Sequence, residues 1–519
     1  MKNKSNFLLL STLIGGLLFN YLFWTEDLGL NLLIYSLYIL SITYFNTEII
    51  KSRKFTTYAI SHLFAAILVV IINSDLSIVA YYISLLLFIG FSHYQQIKTV
   101  FIAIMAVFVQ FLTLPFNVIQ NLTSISIGSF NLRPVLKLVK YILVPLFIVS
   151  VFTIIYSDAN QVFAHYLDNI STSLSLLLTG FLDLFFVDFN FNRLLFVCLG
   201  LVLTGGLLLT CFNKKLGDIE QNSTEDLERI RRNNSSKTIW YQIIEIFSGN
   251  LLYKKLALKT EYITGIISFI ALNILLLIIN TIDICTLWLG FKPSGNFSAD
   301  LHDGTNALIF SIIMAMAVII YFFRGNLNFY SKSKTLRLLA FTWMVQNSIL
   351  IVSVLIRDGY YIEFYGLTHK RIGVMVFALL CIIGLVTVYI KVAKQKTLFY
   401  LFKINGHIWF ALLLGFSLVS WDVFIAKYNF NHSESKVIDP DYLLSLSDRV
   451  LPLLDQNRNK LLYDSTSETN HLKPDVINPN IKLQEQLDRR IDNFGKRYRK
   501  TSWLSWNLSD GNTANYFGL

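Results

Sequence analysis

Residues 357–374 read Arg-Asp-Gly-Tyr-Tyr-Ile-Glu-Phe-Tyr-Gly-Leu-Thr-His-Lys-Arg-Ile-Gly-Val, a dense run of charged, aromatic and glycine residues. It is flanked by Leu336–Ile356 and Ile372–Val392, two apolar stretches. Each is long enough to cross about 30 Å of hydrocarbon at about 1.5 Å per residue. A polar connection between two such stretches decides the class: the chain threads a bilayer repeatedly. Lipid offers no partner to an unpaired backbone amide, so the spans are expected to be helices.

The composition agrees. Of 519 residues, 54% are hydrophobic and 15% charged, where soluble domains carry about 25% charged residues. Mean hydropathy is +0.54. Working outward from the organising stretch, further apolar runs occur at Asn306–Phe323, Tyr262–Leu289, Phe191–Phe212 and Val139–Tyr156. Thr99–Phe116, Leu76–His93, Thr56–Asn73, Leu28–Asn46 and Phe7–Trp24 precede them, and Ile408–Ala426 follows. The expected fold is an all-α polytopic transmembrane bundle of about 11 to 12 spans. Lys2 and Lys4 ahead of Phe7 resemble a signal peptide, but the run is too long and lacks a cleavage site, so it is expected to remain as the first span. The bundle is expected over 1–426, with N-terminal spans in 1–131, a core in 132–426 and a loop at 213–259. Residues 427–519 turn polar and read as a small helical tail. In it Asp441–Leu462 and Ile481–Lys500 are expected to be helices, joined by a linker at Asp464–Pro479.

The formal charge of +11 forms no basic stripe on a folded module, which argues against nucleic acid. It follows the bias of cytoplasmic loops toward Lys and Arg instead. Loops Asn213–Lys259, Arg324–Arg337 and Lys391–Lys403 are basic and fall on one side by span count, so the tail after Lys427 is expected outside. The first third conflicts: Lys51, Arg53 and Lys54 ask for the same side as Lys2 and Lys4, yet five spans then put Arg133 and Lys137 outside. One early run is therefore expected to be interfacial or re-entrant, or the N-terminus to lie outside. Thr172–Asn190 is amphipathic and is expected to lie along the outer interface. Cys198, Cys211, Cys285 and Cys381 sit in apolar runs without metal or redox spacing. No Gly-rich phosphate loop, nucleophile elbow or His-Glu-x-x-His occurs, and no cofactor or metal is expected.

What remains is a set of polar residues that the span count brings to one face. Asp158 and Asn160 end one span, and Asn280 and Asp283 another. His302 and Asp303 open the next, and Gln346 and Asn347 lie below Arg357. Glu363, Tyr365, Thr368, Lys370 and Arg371 occupy the organising stretch, and Asp422 ends the last span. Ionisable groups in or near spans are costly in lipid and usually face a bundle interior. Interfacial snorkelling and inter-helix hydrogen bonds are one account of them. The other is an outward-facing ligand site built from Arg357, Glu363, Tyr365, Thr368, Arg371, Asp283, His302, Asp303, Gln346, Asn347 and Asp422. At least one of Arg357 and Arg371 is expected to pair with Asp283, Asp303, Glu363 or Asp422, Glu363 first. In the tail, Arg489–Trp506 mixes basic and aromatic residues and is either a solvated helix face or a contact with the membrane surface.

Several of these residues recur as motifs: Tyr365-Gly366-Leu367-Thr368 with Arg371, Tyr156-Ser-Asp-Ala-Asn160, and Lys259-Thr-Glu261 with Asn273, Asn280 and Asp283. Others are His302-Asp-Gly304 with Asn306, Phe323-Arg-Gly-Asn326, Trp343 with Gln346-Asn347, Trp421-Asp422 and Asp441-Tyr-Leu-Leu. In these the chain, from about Leu132 to Leu454, resembles a family of bacterial multi-pass membrane proteins catalogued only as a domain of unknown function. Gln161 departs from it, where Pro is common. The resemblance implies the membrane architecture, and no reaction. Three function classes stay open: a binding or transport protein for an acidic or amphiphilic small molecule, a membrane enzyme acting on a lipid-linked or phosphate-bearing substrate, and a membrane sensor or scaffold. The expected partners are the lipid bilayer and a small-molecule or lipid ligand. The expected location is the bacterial cytoplasmic membrane.

Overall fold

A computed structural model describes residues 2–47, 49–123, 149, 153, 157, 162–170, 172–173, 191–209, 220, 223–228, 258–289, 297–432, 439–461 and 479–519. Among these the chain is helical, and its sole strand-like pairing is one antiparallel bridge between Asp226 and Lys396. Seven of the described helices are long and apolar enough to cross a membrane, and four shorter apolar helices accompany them. Val139–Tyr156, Thr172–Asn190, the linker Asp464–Pro479, most of 213–259, and Asp158 with Asn160 lie wholly or mostly outside the described residues.

The chain divides into two compact units. Unit 1 comprises Met1–Gln221, Phe416–Leu418 and Arg497–Asn515. Its helices are α1 (Lys2–Phe23), α2 (Leu30–Phe45), α3 (Arg53–Ile71), α4 (Asp75–His93), α5 (Val100–Thr123) and α6 (Phe191–Leu208). Short turns make the first five alternate in direction. At one end, Asn73 Nδ2 donates to the Leu28 carbonyl and ties the α3–α4 turn to the α1–α2 turn. At the other, Lys54 Nζ reaches the Ile97 carbonyl and Gln95 the Ile50 carbonyl. The first five apolar runs form consecutive helices, each packed against the next. The packing is close: a Cβ on Gly90 would stand 2.7 Å from the Ala103 carbonyl oxygen, so α4 and α5 meet backbone to backbone. Some polar groups inside the unit pair across helices, as Tyr35 with Thr204 at 2.9 Å and His62 Nδ1 with Ser84 at 2.9 Å.

Unit 2 comprises Asn222–Gly415, Val419–Lys496 and Tyr516–Leu519. It holds α7 (Leu258–Asp283), which continues as a π turn over Ile284–Trp288, then α8 (Phe297–Phe322), α9 (Ser333–Tyr365), α10 (His369–Ala393) and α11 (Leu398–Phe416). The short α12 (Trp421–Asn431), α13 (Pro440–Ser445) and α14 (Leu451–Gln456) and the longer α15 (Pro479–Tyr498) follow. Phe269, Ile312, Ile319, Phe323, Leu336, Ala340 and Ile351 form the centre of its core. The opposite face of α7 exposes Ile267, Ile274, Leu275, Leu277, Ile278 and Ile282. Apolar side chains turned outward along a whole helix are the mark of a lipid-facing surface. This is a membrane protein.

Three boundaries differ from the sequence reading. The helix expected to stop at Ile356 runs on to Tyr365, because Val354, Asp358, Tyr361 and Ile362 keep the buried stripe at helical spacing. The last expected span, Ile408–Ala426, is split: α11 starts ten residues earlier and ends at Phe416, and Ser420, with non-helical ψ, opens α12. Asp441–Leu462 is not one helix but four short turns. There Leu446 and Ser447 are extended, and Pro452, which cannot extend a preceding helix, begins a new one. The expected helix over Ile481–Lys500 is present as α15, with Leu483, Leu487 and Phe494 buried. Arg490 fixes it within unit 2 by donating to the Leu444 and Leu446 carbonyls and to Asp448.

Candidate functional site

The site is built on the pairing of α7 with α9. The buried residues of α7 are Gly265, Phe269, Asn273, Leu276, Asn280 and Asp283, and from Phe269 on they are spaced alternately by four and three as in a heptad seam. Two of them are asparagines seven residues apart. Asn273 Nδ2 donates to the Leu339 carbonyl at 3.1 Å, and Asn280 Nδ2 to the Gln346 carbonyl at 3.0 Å. Both bonds climb the two helices in the same direction, so α7 and α9 are parallel. Buried amides at such positions fix register, since a slip by one residue leaves them unpaired in an apolar seam.

At the top of the seam Arg357 Nη2 meets Asp283 Oδ1 at 2.5 Å, with only 19% and 6% of the two side chains exposed. One of the two expected arginines thus pairs with an expected acid. The partner is Asp283, and Glu363, expected first, is exposed on the last turns of α9. The reason is the longer helix: Glu363 sits six residues past Arg357, on a different face. The π turn begins directly after Asp283, and Trp288 Nε1 within it donates to Ser353 Oγ at 3.1 Å. Such turns widen a helix locally and are frequent at functional sites.

The connection after α9 is only Gly366, Leu367 and Thr368. Gly366 has φ +76°, which glycine adopts at little cost. A Cβ there would also lie 2.6 Å from Asn429 Oδ1. Asn429, on α12, clamps the connection by accepting from Leu367 N–H at 2.7 Å and donating to the Leu367 carbonyl at 3.0 Å. Thr368 then opens α10 in extended conformation without a side-chain cap. The first turn of α10 carries His369, Lys370 and Arg371 and no acid. Three basic residues at a helix N-terminus oppose the positive end of its dipole, a placement that an anion relieves.

Arg371 is held rather than neutralised. Its guanidinium donates to the Gly366 carbonyl and lies 5.4 Å from the Tyr361 ring and 5.8 Å from the Tyr365 ring. Among the described residues no carboxylate oxygen is within ion-pair distance of it. Asp358 shares the stripe of α9 that carries Tyr361 and Tyr365, on the side toward Arg371. Asp358 is 5% exposed, and its Oδ2 has no hydrogen-bond partner among the described residues. His369 Nε2 pairs with Asp422 Oδ1 at 2.7 Å, and His369 N–H donates to the Tyr442 hydroxyl at 2.9 Å. Burial pushes the Tyr442 phenol above its ordinary pKa, so it stays protonated.

Of the residues expected to form the site, Asp283, Arg357, Tyr365, Thr368, Arg371 and Asp422 therefore gather at one end of unit 2. Asn347 does not join them: its amide donates to the Trp343 carbonyl of its own helix. Gln346 contributes its carbonyl to Asn280 in the seam. The side chains of His302 and Asp303 lie outside the described residues. Asp358, Tyr361, His369 and Asn429 were not expected as site residues by the sequence reading, and Tyr442 entered it only within the Asp441-Tyr-Leu-Leu motif. For Asp358 and Tyr361 the signal existed in the continued helical period past Ile356. For Asn429, far along the chain and in a polar stretch, there was none.

The opposite end of unit 2 joins the loops that the sequence placed on one side. Lys396 pairs with Asp226 and Lys403 with Glu225, each at 2.5 Å, while Arg337 and Gln395 both donate to the Asn328 carbonyl. Among the described residues no cluster of His, Cys, Asp or Glu is arranged to hold a metal ion.

A family model described as Domain of unknown function (DUF4153) matches residues 58–457. No curated protein and no solved structure matches the chain.

Proposed function

Because the chain belongs to the family described as Domain of unknown function (DUF4153), a description that names no activity, we propose from its own geometry that it binds or carries an acidic or amphiphilic small molecule at the Arg371 end of unit 2. The observation that supports this is the state of Arg371. It is half-buried, fixed by the Gly366 carbonyl and two phenol rings, and has no carboxylate in ion-pair distance among the described residues. A guanidinium so placed is prepared for a carboxylate, phosphate or sulfonate, and the rings and exposed Phe364 suit an attached apolar chain. Arg357, already paired with Asp283, serves to hold the seam.

The site end faces outward in a bacterial cytoplasmic membrane, with the basic loops around Arg324, Arg337, Lys394 and Lys403 inside, in keeping with the bias of cytoplasmic loops toward Lys and Arg. A second reading, an enzyme acting on a lipid-linked or phosphate-bearing substrate, draws on Asp358, a carboxylate near Arg371 that is positioned to serve as a base.

Titration of the maltoside-solubilised protein with dodecyl phosphate, followed by calorimetry, tests the binding reading. Arg371→Gln is expected to weaken binding by at least about tenfold, the scale of one charge-assisted contact. Equal binding by both proteins refutes it. Turnover of the ester that is lost in Asp358→Asn while binding persists moves the assignment to the enzyme.

A further inference from the structure

Residues 502–506 of unit 1 are seated on the turn between α1 and α2. Glu26 Oε2 accepts from Ser505 Oγ at 2.6 Å and from Ser502 Oγ. Leu30 N–H, an orphan donor at the start of α2, donates to the Trp506 carbonyl at 3.0 Å. A Cβ on Gly29 would stand 2.4 Å from the Ser505 carbonyl oxygen, so glycine alone admits this approach. Leu504 and Asn507 are buried beneath.

The turn on which this segment rests joins two apolar helices, and so lies where hydrocarbon gives way to headgroups. The segment turns its largest side chains outward there: Trp503 is 61% exposed, Trp506 40% and Leu508 39%. Arg499 and Lys500, also exposed, precede them. On α1, the helix that leads into this turn, Leu13, Leu17 and Tyr21 are likewise apolar or aromatic and exposed. Indole rings, apolar with one N–H, are at their most stable at the headgroup level.

We propose that residues 499–508 are a lipid contact. Trp503, Trp506 and Leu508 enter the interfacial layer of the bilayer, and Arg499 and Lys500 reach headgroup phosphates. Lipid is favoured over a protein partner because the exposed rings are fixed at the rim of a surface that is itself lipid-facing, at a depth set by the Glu26 and Leu30 bonds.

The test is the depth of two positions in the full chain, with its four cysteines replaced and the protein placed in nanodiscs of phosphatidylcholine and phosphatidylglycerol. Nitroxide labels are attached to Trp503→Cys and, as a solvent-facing reference, to Asn512→Cys. Collision with oxygen relative to a water-soluble nickel chelate is expected to be several-fold higher at 503 than at 512. Equal ratios at the two positions overturn the proposal, as does a 503 label shielded from both reagents, which marks protein burial. If the cysteine-free chain fails to fold, brominated lipids provide the measurement in the native-cysteine protein. Trp503→Phe must then remove a component of tryptophan emission quenched most strongly by bromine near the headgroup. Unchanged quenching overturns the proposal equally.

Discussion

Asp283 and Arg357 offer the most decisive perturbation of unit 2. Their contact of 2.5 Å involves one oxygen and one nitrogen, while Asp283 Oδ2 and Arg357 Nε have no hydrogen-bond partner among the described residues. With charge centres about 4 Å apart and an effective dielectric near 20, the attraction is about 4 kcal/mol. Desolvation of a pair this buried offsets part of it, and the monodentate geometry leaves the remainder at the low end, about 2 kcal/mol of coupling. Removal of either partner alone strands the other charge, which costs about 3 kcal/mol or more. Asp283→Asn and Arg357→Gln are therefore each expected to lower stability by about 3 kcal/mol, and the double variant by about 2 kcal/mol less than their sum. Reversible unfolding of the four proteins by dodecyl sulfate in mixed lipid micelles measures the cycle. If the single losses add to within about 0.5 kcal/mol, the contact carries no coupling and the argument fails.

Asn429→Ala removes both bonds to Leu367 and leaves two buried backbone groups unmet, at a cost of about 2 kcal/mol; faster hydrogen exchange confined to 366–368 is the expected sign. Gly366→Ala adds an unfavourable φ to a clash with Asn429, and is expected to lose more than about 1 kcal/mol in the same unfolding assay, against near-neutrality if the connection adapts. Leu487, 2% exposed on α15, when changed to Asp places a charge in that interface, and is expected to release α15 to limited proteolysis while the apolar helices remain protected. In unit 1, a cysteine in place of Lys51 and one in place of Asn512 lie at opposite ends of the helices. A membrane-impermeant maleimide is expected to label only the second in intact cells, and labelling of both from outside contradicts the placement.

The apolar helices were legible because a span needs no more than a length and a composition, and Phe191–Leu208 or His369–Ala393 supply both. The meeting of Asp283 with Arg357 was legible at one remove: alternating direction brings the ends of α7 and α9 to one face, whatever their side chains. Which acid takes which arginine was not. That depends on angular position, and Glu363 was misjudged as a loop residue because hydropathy falls after Ile356 while helical period does not. Gly366 and Asn429 belong together only in three dimensions, 63 positions apart, with no local pattern at Asn429 to announce it. The break at Ser417–Ser420 was hidden for the opposite reason: apolar residues continue across it, and a window average does not sense where two serines interrupt the backbone.

Glu26 and the serines that bond it are separated by 476 and 479 positions. A ribosome adding about 5 to 20 residues per second needs on the order of half a minute to a minute and a half to cover that distance. Throughout that interval the α1–α2 turn stands in the membrane with its carboxylate and its Leu30 amide still waiting for the groups that will satisfy them. Unit 1 thus has a natural order of events, in which the first hairpin is inserted early and sealed late. A translation pause, or a premature stop anywhere before Ser502, leaves that hairpin open, and quality-control proteases have an exposed turn to recognise for as long as the delay lasts.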